Sequence, residues 1–175
     1  MRPRPEVPAP NPPRRHRLPA GAVAALCAIA VAGLGGFATD IGPWYAGLRR
    51  PPWQPADFWF GPVWTLIFTL CAVSGTLAWR AIGGDAKRRR TLLLLWGANA
   101  IFNVLWSLLF FRLHRPDWAL AEVGLLWLSI AALIAMSARA SRAAAALLIP
   151  YQLWVTFAVA LNWAVVQLNA PFVTG

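Results

Sequence analysis

The chain has 175 residues, of which 59% are hydrophobic and only 13% charged, against about a quarter charged in ordinary soluble domains. That deficit excludes a water-solvated globule and makes the bilayer the main solvent. The formal net charge is +10, but the Lys and Arg residues cluster between long apolar runs, so the charge reads as membrane topology and excludes a nucleic-acid surface.

Residues 1–18 are dense in Pro and Arg. They cannot bury a core and are expected to form a disordered basic tail. Five apolar stretches follow, each near the ~20 residues that a helix needs to cross a bilayer: about 19–39, 59–82, 91–111, 118–138 and 143–169. The first is too long for a signal-peptide core and precedes four more, so it reads as a retained helix. The predicted fold is an all-α membrane protein, a bundle of five transmembrane helices over residues 19–170.

In the first span, Ala25, Ala28, Ala32 and Gly36 recur at spacings of three and four. Small residues so placed let backbones approach closely, within the bundle or at a dimer face. Cys27 and Cys71 stand alone in apolar runs and read as small buried packing residues. The first connector, Asp40–Phe58, carries Trp44 and Trp53 beside Trp59. That much aromatic area should fold back onto the bundle as a cap.

The other connectors are short: Gly83–Arg90, Arg112–Asp117 and Ser137–Arg142. The tail, second and fourth connector regions carry twelve Lys and Arg, and the opposite side carries four, Arg49, Arg50, Arg112 and Arg115. The bias places the amino terminus in the cytoplasm and the long connector outside.

Of eleven Trp, Trp79, Trp96, Trp118 and Trp163 fall near span ends and read as interfacial. Trp64, Trp106, Trp127 and Trp154 lie deeper and need partners or a cavity. Asn99, Asn103, Trp106 and Phe110 share one face of the third span, and Tyr151, Trp154, Ala158 and Asn162 one face of the fifth. The two stripes are expected to meet, with Asn103 and Asn162 bonding helix to helix. Glu122 is the one carboxylate well inside a span, expected to reach the interface or to pair with Arg115 or an amide. Pro150 should kink the fifth span. His16 and His114 lie in Arg-rich loops and read as solvated.

The run Trp44-Tyr45-Ala46-Gly47-Leu48-Arg49-Arg50-Pro51-Pro52-Trp53-Gln54-Pro55 resembles WYxxLxKPxWxP, the first-loop signature of the translocator protein family, the tryptophan-rich sensory proteins. Asn103-Val104-Leu105-Trp106-Ser107 with Phe110-Phe111 resembles its NxxWSxxFF. Pro150-Tyr151, Trp154, Phe157-Ala158 and Leu161-Asn162 match PYxxWxxFAxxLN, with Asn169 trailing. The resemblance spans about residues 40–170. It implies a five-helix bundle, often a homodimer, that binds porphyrins, haem-related tetrapyrroles, cholesterol or synthetic isoquinolines and benzodiazepines under the first loop. By motif position it implies a pocket of Trp44, Tyr45, Trp64, Asn99, Asn103, Phe110, Trp154, Ala158 and Leu161, to which the third-span stripe adds Trp106.

Two departures narrow the expectation. Asn99 replaces a frequent Gln, and Trp163 stands at the Tyr position of the animal cholesterol motif with no basic residue after Arg142. Cholesterol is therefore disfavoured, and a bacterial cell-membrane protein for protoporphyrin IX or a haem-related ligand is the expectation, with membrane lipid as its surroundings. No cofactor is required. The ligand's carboxylates would suit Arg49 and Arg50. Two alternatives stand beside binding: light- and oxygen-dependent porphyrin degradation, with Trp154 as the candidate residue, and an interaction subunit without a ligand. HExxH, G-x-S-x-G and P-loop motifs, and any Cys/His metal cluster, are absent from the sequence.

Overall fold

The structure, a computed structural model, describes residues 19–172; the tail expected over 1–18 lies outside the described residues. Among these, five helical segments are long and apolar enough to cross a membrane. Helix α1 (Ala20–Ala38) is followed by the short α2 (Pro43–Ala46). A 3-10 turn at Asp57–Trp59 leads into α3 (Phe60–Ile82). Next come α4 (Ala86–Ser107), a π-helical turn at Leu108–Arg112, α5 (Pro116–Ala138), the short α6 (Arg142–Ala146) and α7 (Ile149–Asn169). Helices prevail because hydrocarbon supplies no partner for backbone N–H and C=O groups, which must pair within their own segment.

Helix α5 packs between α4 and α7, while α6 wedges between α5 and α3. Helix α1 lies along α3 and touches α4. The packed core, with Ile67, Leu92, Val123, Ile130, Leu133 and Leu148, belongs to α3 and its successors. Helix α1 buries only Ala38, so it is laid against the bundle without entering its core.

Side-chain hydrogen bonds stitch the other helices together. Ser74 Oγ on α3 donates to the Ala144 carbonyl on α6 at 2.7 Å. Asn99 Nδ2 donates to Ser129 Oγ at 2.9 Å, and Trp127 Nε1 to Thr156 Oγ1 at 2.9 Å. Asn103 Nδ2 donates to the Tyr151 hydroxyl at 3.2 Å, so the two polar-aromatic stripes do meet. With its amide turned to suit its neighbours, Asn162 donates to the Pro116 carbonyl at 3.1 Å and accepts from the Leu120 N–H at 3.0 Å. It thereby ties α7 to the first turn of α5.

The long connector closes over one end of the bundle. The Arg49 N–H donates to Asn169 Oδ1 and Asn169 Nδ2 donates to the Arg49 carbonyl, both at 2.8 Å. Trp53 meets Phe157 edge-on at 5.8 Å, and Trp44 stacks on His114 at 4.2 Å between ring centroids. The exposed His114, at a φ of 53°, is thus a stacking partner as well as a solvated residue.

Several expectations need correction. The third span starts at Ala86, not 91, so Lys87 to Arg90 form its first turn. Asp85 caps that turn by accepting from the Arg88 N–H at 3.0 Å, the normal duty of an N-cap carboxylate. The fifth span is not one kinked helix. It breaks at Leu147 and Leu148, and Pro150 occupies the first turn of α7, where a missing N–H costs nothing. Trp96 is not interfacial: it packs on the core over Gly75, whose added Cβ would sit 3.5 Å from the indole nitrogen. Cys27 is exposed, whereas Cys71 is buried. Glu122 is buried and, among the described residues, neither carboxylate oxygen has a partner; Arg115 pairs with Asp117 instead.

Two outcomes follow from these contacts. Ser74→Ala orphans the Ala144 carbonyl and lowers unfolding stability by about 1 kcal/mol, seen as an earlier midpoint in a denaturing-detergent titration. Asn169→Ala releases the connector, and hydrogen exchange at the Arg49 amide accelerates while amides in α5 stay protected.

Candidate functional site

Between the closed α4–α5–α7 wall and the loosely laid α1 lies a cavity of about 1030 Å³. Tyr45, Gln54 and Asp57 of the connector roof it, and α1, α3, α4, α5 and α7 contribute walls.

The roof is held by one carboxylate. Asp57 accepts from the Tyr45 hydroxyl at 3.0 Å, from Arg50 Nη1 at 2.9 Å and from Gln54 Nε2 at 3.1 Å. Arg50 also lies over the Tyr45 ring at 5.1 Å, a cation–π contact. Burial, and then the Asp57 charge, push the Tyr45 phenol above its ordinary range, so it stays a neutral donor. The Asp57 hydrogen bond likewise raises the Arg50 guanidinium. Arg50 is thus engaged by Asp57 through Nη1 and is not among the residues that line the cavity. The backbone of Arg49 is clasped by Asn169, and Arg49 is not on the cavity wall.

Below the roof the walls are aromatic. Trp64 meets Tyr151 edge-on at 6.1 Å and stacks with Phe68 at 5.4 Å. Phe60 and Phe157 flank Trp154 at 5.6 and 5.5 Å. Trp106 stacks on Phe110 at 5.3 Å. The wall of α3 carries Thr65, Thr69 and Thr76, yet each hydroxyl donates to the carbonyl four residues back, at 2.8–2.9 Å. Their polarity is spent within the helix, and the surface they offer is mostly methyl.

Of the residues singled out from sequence, Tyr45, Trp64, Asn103, Trp106, Phe110, Trp154, Ala158 and Leu161 line the cavity. Trp44 does not. It stands behind Phe110 at 6.1 Å, edge to face. Asn99 does not line it either: it is 5% exposed and committed to Ser129 and Tyr151. As the shorter amide it reaches its neighbours and stops short of the hollow.

Sequence reasoning missed three contributors. Ala25, Ala28, Ala32 and Gly36 line the cavity; their small size leaves room as well as close backbone approach. Ser107, four residues beyond Asn103, shares its face and the wall, a spacing that could have found it. Asp57 organises the roof, and a carboxylate close to Arg50 in a loop was a signal for that. Among the described residues the site holds indole faces and few polar side chains not already hydrogen-bonded, Ser107 and Arg80 among them. Such a surface suits recognition of a large, flat, mostly apolar molecule.

Residues 22–168 match the TspO/MBR family. A tryptophan-rich protein TspO from Archaeoglobus fulgidus is 35% identical over 85% of this chain and 94% of its own length. A tryptophan-rich protein TspO from Chlorobaculum tepidum is 35% identical over 72% of this chain and 79% of its own. The Homo sapiens translocator protein is 33% identical over 70% of this chain and 72% of its own. With the five membrane helices, the roofed aromatic hollow and a match over most of its length, this chain belongs to the TspO/MBR family of integral membrane proteins.

Proposed function

We propose that the protein binds a tetrapyrrole of the protoporphyrin IX class in the roofed cavity, in a bacterial cell membrane with its amino terminus cytoplasmic. The observation that carries this reading is the convergence of Trp64, Trp106 and Trp154 on one cavity of about 1030 Å³. That is at the upper end of the roughly 300–1,000 Å³ range of small-molecule pockets. A rigid macrocycle buries much apolar area and loses little conformational freedom on binding, and its π faces suit indoles. The propionate carboxylates would point to the roof and reach Arg50 only in competition with Asp57. The arginine bias between the two loop sets supports the orientation.

Tryptophan quenching by protoporphyrin IX, measured in the dark on purified protein, should saturate. Ala158→Leu fills part of the hollow and should weaken binding roughly tenfold without loss of helicity. Quenching that never saturates, or is unchanged in Ala158→Leu, removes the proposal. Illumination in air after saturation separates binding from chemistry. A new pigment formed by the native chain and lost in Trp154→Phe would assign the site to photo-oxidative degradation instead.

A further inference from the structure

At the end of the bundle opposite the roof, a second and smaller pocket of about 330 Å³ lies where α3 ends, α4 begins and α5 ends. Its lining divides by chemistry. Lys87, Arg88 and Arg139, with Asp85 and Thr91 beside them, are exposed at its edge, while Ile82 is buried and Met136 and Ala140 are half-buried.

We propose that this pocket binds the phosphate of an anionic phospholipid, with the start of an acyl chain on the Ile82–Met136 floor. Topology alone accounts for cations on this side but not for their convergence. Arg139, from the end of α5, faces a hollow shared with Lys87 and Arg88 at the start of α4. Among the described residues this end of the bundle carries seven cations, Arg80, Lys87, Arg88, Arg89, Arg90, Arg139 and Arg142, against one acid, Asp85. Asp85 pairs with Arg88 at 3.3 Å, with both side chains more than 40% exposed, and its other oxygen caps α4. No ion pair to Lys87 or Arg139 occurs among the described residues. Arg89 is drawn aside over the Trp79 ring at 4.3 Å. Two uncompensated cations above an apolar floor, at the depth where helices leave the hydrocarbon, match a phosphodiester on a hydrocarbon tail better than a free ion. The amino-terminal dipole of the 22-residue α4 favours the same charge.

The test uses the full chain, stripped of lipid in neutral detergent. Retention of added phosphatidylglycerol, phosphatidylcholine or inorganic phosphate is read by native mass spectrometry. One phosphatidylglycerol should be retained in preference to phosphatidylcholine. The double variant Lys87→Gln/Arg139→Gln should lose roughly 10- to 30-fold in that affinity, while Arg49→Gln, at the other end, leaves it unchanged. Unaltered circular dichroism would show that the double variant still folds. Equal retention of the two lipids, or undiminished retention by the double variant, overturns the proposal. Inorganic phosphate that occupies the protein and excludes phosphatidylglycerol would reassign the pocket to a free anion and overturn the lipid assignment.

Discussion

The Tyr151 hydroxyl receives a hydrogen bond from Asn103 at 3.2 Å and donates to Asn99 at 3.4 Å, while Asn99 donates onward to Ser129. Three helices are tied through that phenol at a depth where water offers no substitute. Each such bond adds only about 0.6 kcal/mol in membranes. Separating the helices, however, would strand two amides and a hydroxyl in hydrocarbon, which costs more than the bonds contribute. The network therefore specifies one arrangement of α4, α5 and α7. It also leaves α1 outside, and the space between α1 and the wall becomes the cavity.

That division sets the character of the site. The polar groups near the cavity are mostly spent on one another: Asn103 on Tyr151, the α3 threonines on their own backbone, and Tyr45, Gln54 and Arg50 on Asp57. What the wall mostly presents is aromatic and methyl surface, with Ser107 and Arg80 among its few polar side chains; under the proposed function, shape and ring contact would decide the fit. Discrimination among guests would then rest on steric exclusion.

The membrane spans were legible because their signal, long apolar runs with charged breaks, is strong and local. The aromatic faces of α4 and α7 were legible from helical spacing and from rare residues in sequence motifs. What escaped depends on context. Lys87 to Arg90 look like a loop by charge, but Asp85 caps a helix through them. Pro150 looks like a kink, but two residues of turn before it make it a helix start. Trp96 resembles an interfacial anchor until Gly75 on α3 is placed beside it. The packing of small residues along α1 and the hollow beside them share one pattern, and only three-dimensional placement reveals both. Glu122 and its unpartnered oxygens were beyond any reading of spacing.

The clasp between positions 49 and 169 has an evolutionary corollary. Asn169 contributes its side chain, whereas Arg49 contributes only backbone N–H and C=O. Drift at position 49 to any residue except proline would preserve the pairing. Position 169 has no such latitude, because no other side chain offers a donor and an acceptor at the same reach; glutamine is one methylene longer. Among relatives, the two ends of this contact should therefore vary at very different rates, although neither touches the hollow they help to cover.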